Sequence, residues 1–480
     1  MNLAMVLYII GWILEFESAF LLLPALVGIC YGEFPSSFAY LATALFSFIC
    51  GFFFKKKRPK RFDLYMREGF ASVALGWTFM SIFGALPFVF TGEIPRFIDA
   101  LFESVSGFTT TGASILSDVE ALSHASLFWR SFSHWIGGMG VFVFIMAILP
   151  LMGGSNINLM RAESTGPSVG KLVPKVKDTA KILYTLYIGI TLAAVFVFLL
   201  CGMNLFSAFT TSFGTIGTGG FGIFNDSIAG FSPLQQNMIT LFMILSGINY
   251  TVYFCLLQKQ FKEAFSIEEV RFYLLIILAS ACVITWDIHK LYPTIEESLR
   301  HAFFQVGSII TTTGYSTTDF DVWPQLSKTI LVILMFIGAC SGSTGGGIKI
   351  SRLIILVKSI HKELSLMVHP RMVKKIKMSG HPVAHETLRS TNVFISVYFI
   401  ILFASVLLIG IDEFDFTTNF TAVAATLNNI GPGLEMVGPA RNFAIYSPFS
   451  KCILIFDMLA GRLELFPMLI LLLPSCWKKY

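Results

Sequence analysis

The chain has 480 residues, 55% hydrophobic and only 13% charged, with 49 Phe and a formal net charge of +5, where an ordinary globular chain is roughly 25% charged. Together with a mean hydropathy of +0.73, this predicts an all-α polytopic membrane protein and excludes a soluble enzyme, a secreted disulfide scaffold and a free nucleic-acid binder. The eight Cys lie scattered in apolar stretches without a CxxC pair, so they read as small buried hydrophobes.

A spanning helix takes about 20 mostly apolar residues. In chain order such stretches fall at 3–31, 36–54, 69–91, 126–150, 179–202, 233–257, 270–288, 324–360, 389–411 and 446–475. The first has no basic segment before it and carries Glu15 and Glu17, so it reads as a span and not as a cleavable leader. The linkers alternate in charge. Those at 54–68, 151–182, 258–271 and 352–390, with the C-terminus, hold 25 of the 34 Lys and Arg, which places them and both termini in the cytoplasm. KKKRPKR at 55–61 reads as a stop-transfer and lipid-headgroup anchor. The opposite face carries Asp99, Glu103, Asp118, Asp226, Glu296, Asp319, Asp321, Asp415 and Glu435, an acidity that concentrates cations at a mouth.

Four outer linkers are too apolar for plain loops and too short to span: PRFIDALFESVSGFTTTGAS (95–114), MNLFSAFTTSFGTIGTGGFG (203–222), PTIEESLRHAFFQVGSIITTTGYS (293–316) and DFTTNFTAVAATLNNIGPG (415–433). Each joins a half-length apolar helix to a Thr, Asn and Gly stretch, a pattern of re-entry. One TTTG alone reads as a turn. Four such loops on one face, recurring about every hundred residues, read as an internal repeat. The expected organisation is two N-terminal transmembrane helices at 1–62, then repeats at 63–165, 166–260, 261–375 and 376–480. Parallel repeats with helices dipping from one side predict a pseudo-fourfold ring around a single pore. Non-helical backbone survives at that depth only when buried in protein or lining a path. Half-helices that point their C-terminal ends inward aim negative dipole ends at the axis, and loop carbonyls can replace a cation's hydration shell.

The segments FESVSGFTTTGAS, IGTGGF, SIITTTGYSTTDFDVWP, CSGSTGGGIKISR, AATLNNIGPG and GRLELF resemble the Trk/Ktr/HKT superfamily of potassium transporters, and within it the bacterial Trk-type pore-forming subunit. The resemblance runs almost end to end, and two spans before the first repeat match that layout. It implies K+ uptake across the bacterial inner membrane through one pore per subunit, with K+ as transported ion and no organic cofactor. It also implies a homodimer, embedded in membrane lipids, gated by a cytosolic nucleotide-binding ring that senses NAD or ATP. The K+ filter would comprise Thr110, Thr111 and Gly112; Thr218, Gly219 and Gly220; Thr312, Thr313 and Gly314; and Asn429, Ile430 and Gly431. In the second loop either Gly219 or Gly220 could serve as the key glycine. Relatives that pass sodium carry serine in the first loop, so Gly112 favours potassium.

The stretch 324–360 reads as helix to about Gly338, then ACSGSTGGGIK at 339–349, then helix again. Each glycine costs a helix about 1 kcal/mol against Ala, so the run reads as a broken helix lining the path, or as close helix packing. The resemblance makes Gly342, Ser343, Thr344, Gly345, Gly346 and Gly347 a gate loop below the filter. GSTGGGIK mimics a phosphate-binding loop but fails, because Ile348 separates the last glycine from Lys349 and no strand precedes it. Arg462 stands inside the last span, where a charge is costly and functional. Either it faces the pore as a barrier that bonds the carbonyls of the closed loop, or it braces helices through Asp457 or Glu464. His134 and Trp135 read as packing residues beside glycines. His381 and His385 have metal-pair spacing but flank Pro382 in a polar stretch with no carboxylate arranged for hydrolysis. No nucleophile–base constellation is visible, so no enzyme is expected. The basic stretches RAESTGP and HPRMVKKIKMSG face headgroups or dock the ring. The alternative function is an H+- or Na+-coupled symporter, for which only Asp457, Arg462 and Glu464 come near the membrane midplane.

Overall fold

The computed structural model describes residues 1–56, 59, 65–140, 176–373 and 375–478. Among the described residues six helices are long and apolar enough to cross a membrane: Leu3–Cys30, Phe34–Lys56, Met66–Phe90, Val176–Leu200, Glu268–Ile288 and His385–Ile409. Their outward faces leave Phe38, Leu45, Leu200, Leu275, Ile400 and Leu407 exposed, a surface suited to lipid tails as apolar as Leu itself.

Three of the other four expected spans are not continuous helices. Pro233–Ser246 and Tyr250–Leu257 meet at 91°. The break at Gly247–Asn249 is satisfied within the fold: Cys340 donates its N–H to Gly247 O at 3.1 Å, and the Asn249 side chain accepts from Thr251 N–H at 2.9 Å. The stretch 324–360 divides into Gln325–Phe336 and Ile350–Val368, as its glycine run suggested. The last stretch divides into Pro448–Arg462 and Phe466–Leu472, with Glu464 and Leu465 in the left-handed region at φ 57° and 67°. For 126–150, the helix His124–Met139 is followed by residues outside the described set. Also outside it lie most of KKKRPKR, all of RAESTGP, Lys374, and the expected repeat boundaries at 62/63 and 165/166.

Four short helices occupy the re-entrant stretches: Phe97–Phe108, Leu205–Ile216, Ile295–Ile310 and Phe416–Leu427. Asn204, Thr294 and Asp415 cap the last three by accepting from the N–H groups of Ser207, Glu297 and Thr418, which satisfies donors that the first turn leaves orphaned. Each half-helix packs on the long helix before it, and each is also covered by the helix that closes the preceding repeat. His124–Met139 lies on Leu205–Ile216, Pro233–Ser246 on Ile295–Ile310, and Gln325–Phe336 on Phe416–Leu427. Pro448–Arg462 then returns to Phe97–Phe108, closing the circle. The two N-terminal helices pack on each other outside this circle, so closely that Gly11 and Gly51 each face the other's carbonyl oxygen.

Candidate functional site

All four half-helices end with the same backbone turn. The N–H groups of Thr111, Gly219, Thr313 and Ile430 reach back to the carbonyls of Ser106, Gly214, Ser308 and Ala425 at 2.8–2.9 Å. This is the six-to-one bond of a helix stop whose preceding residue is left-handed, a place glycine normally takes. Here that residue is Thr110, Thr218, Thr312 or Asn429, with φ of 55°, 53°, 58° and 55°. A left-handed Thr costs of order 1–3 kcal/mol and persists only where its surroundings over-determine it. Two residues further on, Gly112, Gly220, Gly314 and Gly431 are left-handed again, with φ of 80°, 79°, 84° and 103°. The second loop therefore aligns on Gly220, with Gly219 in the place of Thr111, Thr313 and Ile430.

These glycines close a ring. A Cβ on Gly112 would come closer than 3.0 Å to the carbonyl oxygen of Gly219, one on Gly220 to Thr313 O, one on Gly314 to Ile430 O, and one on Gly431 to Thr111 O. Each loop thus presses its glycine against the carbonyl of the next, and the fourth returns to the first. Threonines brace the ring from behind: Thr109 Oγ1 sits 2.8 Å from Thr111 Oγ1, and Thr311 Oγ1 2.7 Å from Thr313 Oγ1. Asn429 Nδ2 donates to Thr111 Oγ1 at 2.9 Å, tying the fourth loop to the first. On the side of the ring facing away from the segment 337–349 a cavity of about 140 Å³ opens on all four glycines, with Ser114, Asn225 and Arg441 on its walls.

The segment 337–349 lies under this ring. Its base is closed by Gly338 N–H donating to Ile348 O at 2.8 Å, and Gly342 and Gly347 turn it at φ 68° and 69°. Gly346 N–H donates to Thr312 Oγ1 at 2.7 Å. Side chains on Gly345 and Gly346 would collide with the carbonyls of Thr311 and Asn428, so only glycine lets the loop sit this close. Ser343 Oγ donates within the loop to Cys340 O at 2.6 Å. Arg462, buried, donates to Thr344 O at 2.7 Å, to Gly138 O at 3.0 Å and to Gly137 O. Of the two carboxylates suggested as its partners, Asp457 accepts from Ser405 Oγ at 2.7 Å through Oδ1, and Glu464 pairs with Arg352.

Among the described residues the chain thus combines a closed carbonyl ring, a small-residue loop beneath it and a buried cation holding that loop. The TrkH family profile, described as cation transport protein, matches residues 37–479. The chain belongs to this family. The Trk system potassium uptake protein TrkH of Salmonella typhimurium is 38% identical over 98% of each chain. That of Vibrio parahaemolyticus is 36% identical over the whole of both. The crystal structure of the potassium transporter TrkH from Vibrio parahaemolyticus covers 100% of each chain with a TM-score of 0.89 at 34% identity. These relatives are potassium transport proteins, a transporter family rather than enzymes.

Within this TrkH-family fold several residues matter that sequence reasoning passed over. Lys349, used only to reject a phosphate loop, is buried and donates through Nζ to Gly345 O. The signal was available, since it is a charge inside an expected span, like Arg462. Glu269, within the linker expected at 258–271, is buried, and its Oε1 accepts from Ser341 N–H at 2.6 Å and Ser351 N–H at 3.1 Å, clamping both ends of the loop. Glu103, counted toward the acidic outer face, is instead buried in a 2.9 Å ion pair with Arg130. Its helix position buries it beside the ring. Asp99 likewise pairs with Lys451 at 2.6 Å.

Proposed function

We propose that this chain takes up potassium ions across the bacterial cytoplasmic membrane along the axis of the glycine ring. The observation that carries the reading is the cyclic contact of each loop glycine with the next loop's carbonyl. Four negative helix ends converge there, and the carbonyls of the twelve loop residues from Thr110–Gly112 through Asn429–Gly431 offer oxygens in place of water. Potassium suits such a ring because its shell is exchanged for backbone oxygens, with no charged ligand to trap it. The segment 342–347 acts as the gate, held shut by Arg462, whose charge also opposes cation passage. The basic linkers and both termini face the cytoplasm, where a nucleotide-binding regulatory ring docks and moves the gate, and two copies of the chain assemble as a homodimer.

The test is ion flux in proteoliposomes carrying Gly112→Ser. A side chain at Gly112 must push the Gly219 carbonyl outward, so the K+/Na+ permeability ratio should fall several-fold. A folded variant with a native ratio removes Gly112 from the filter.

A further inference from the structure

His134 stands fully buried on His124–Met139, wedged between the first half-helix and the second loop. Its Nδ1 lies 2.7 Å from Gly107 O, which can only accept, so Nδ1 carries the proton. Phe221 N–H donates to Nε2 at 3.2 Å, so Nε2 holds the lone pair. One neutral tautomer fills both roles at once. The ring face also packs on Gly219, where an added Cβ would fall onto Cγ, Nδ1 and Cδ2 of the imidazole. Gly219 supplies the carbonyl that meets Gly112. A rigid planar group thus spans the gap between two quarters of the ring and touches the peptide that joins them.

One helical turn earlier, Arg130 bridges the same gap. Its Nε donates to Glu103 at 2.9 Å and one NH group to Gly222 O at 3.1 Å, with the guanidinium 4.1 Å from the Phe221 ring centre. The fourth repeat is built differently. Gly461 meets Leu427 O there as Gly137 meets Phe108 O, and the residue three places earlier is Met458, not histidine. Met458 contributes its backbone carbonyl to Asn429 Nδ2 at 2.9 Å, and its side chain offers no donor. The polar two-ended spacer therefore distinguishes the first-to-second junction from the junction between the fourth repeat and the first.

We propose that His134 is a positioning residue that sets ion selectivity by fixing the Gly219 carbonyl relative to the first half-helix. The proposal rests on the filter reading above. Discrimination depends on the number and spacing of carbonyls facing the ion, so freeing one carbonyl weakens it without emptying the path.

The experiment compares K+/Na+ permeability ratios and melting temperatures for the full chain in proteoliposomes, in wild type, His134→Leu, His134→Gln and Gly112→Ser. Leu keeps volume but has neither donor nor acceptor, whereas Gln keeps one of each. The expected result is a several-fold lower ratio in H134L and a ratio close to wild type in H134Q. A native ratio in H134L, even with a lowered melting temperature, makes the residue structural only and overturns the proposal. If H134L does not fold, H134Q decides: a retained ratio supports the spacer, and a several-fold loss overturns it. A native ratio in both G112S and H134L overturns the filter reading and the spacer with it, whereas a shift in G112S alone overturns only the spacer.

Discussion

The Arg462 guanidinium donates to carbonyls from two different repeats, Thr344 in the loop under the ring and Gly137 and Gly138 beside the first half-helix. Hydrogen bonds to carbonyl oxygens leave its positive charge in place, and in a low-dielectric path that charge acts on a passing cation more strongly than in water. On the function proposed above, neutralising it removes both a barrier and a latch. Where that barrier limits flux, each ~1.4 kcal/mol removed is about tenfold in rate. Arg462→Gln should therefore raise K+ flux measured without any cytosolic partner. Asp457 provides the contrast. It is fully buried, Oδ1 takes the Ser405 hydroxyl, and Oδ2 has no hydrogen-bond partner among the described residues. Asp457→Asn keeps its shape and the Ser405 bond, so flux and melting temperature should stay near wild type. Had Asp457 been the counter-charge of Arg462, its loss would cost about 3–5 kcal/mol; a collapse of D457N alongside unchanged flux in R462Q would sink the barrier.

At the level of elements, the half-helices and glycine loops were legible because they combine two signals, a short apolar run and a glycine at a recurring offset. The break at 337–349 was legible because glycines crowd it. The bend at Gly247–Asn249 was not, since one glycine inside an apolar run is ordinary and the carbonyl it frees is satisfied by Cys340, far away in sequence. Nor was the break after Arg462, where Glu464 and Leu465 are left-handed without any glycine and a long-range pair holds Glu464 to Arg352. The left-handed Thr and Asn that end the half-helices are hidden for the same reason, because propensity assigns that position to glycine. Thr312 shows what its side chain adds there: Oγ1 accepts the Gly346 N–H, linking loop to ring. Thr312→Val keeps the branched shape and removes the acceptor. Basal K+ flux should rise while the K+/Na+ ratio stays native, because the carbonyl ring is untouched. A lowered ratio with no gain in flux would assign Thr312 to selectivity instead.

Across the whole molecule, charge is sorted by depth. Counting linker residues assigned Glu103 and Asp118 alike to an acidic mouth, but only one of them faces water. Glu103 is buried against Arg130 and also accepts from Ile115 N–H at 3.0 Å, so it holds the exit of the first loop. Asp118 and Glu120 are exposed and bond Asn225, at 2.9 Å to its amide and 3.0 Å to its backbone N–H, on the wall of the cavity that opens on the four glycines. These two populations respond differently to salt. Exposed charges lose reach when the Debye length shortens from about 30 Å at 0.01 M to about 8 Å at 0.15 M salt, whereas a buried pair is screened little. The double variant Asp118→Asn, Glu120→Gln should therefore lower K+ flux at low ionic strength and match wild type at physiological salt, because it weakens only the gathering of cations at the mouth. Glu103→Gln leaves the Arg130 charge buried without its counter-ion, which costs about 3–5 kcal/mol. It should lower the melting temperature equally at both salt concentrations. Flux in the double variant that stays low at high salt would place Asp118 and Glu120 in the ring's support, and a melting temperature of E103Q that salt restores would place Glu103 at the surface after all.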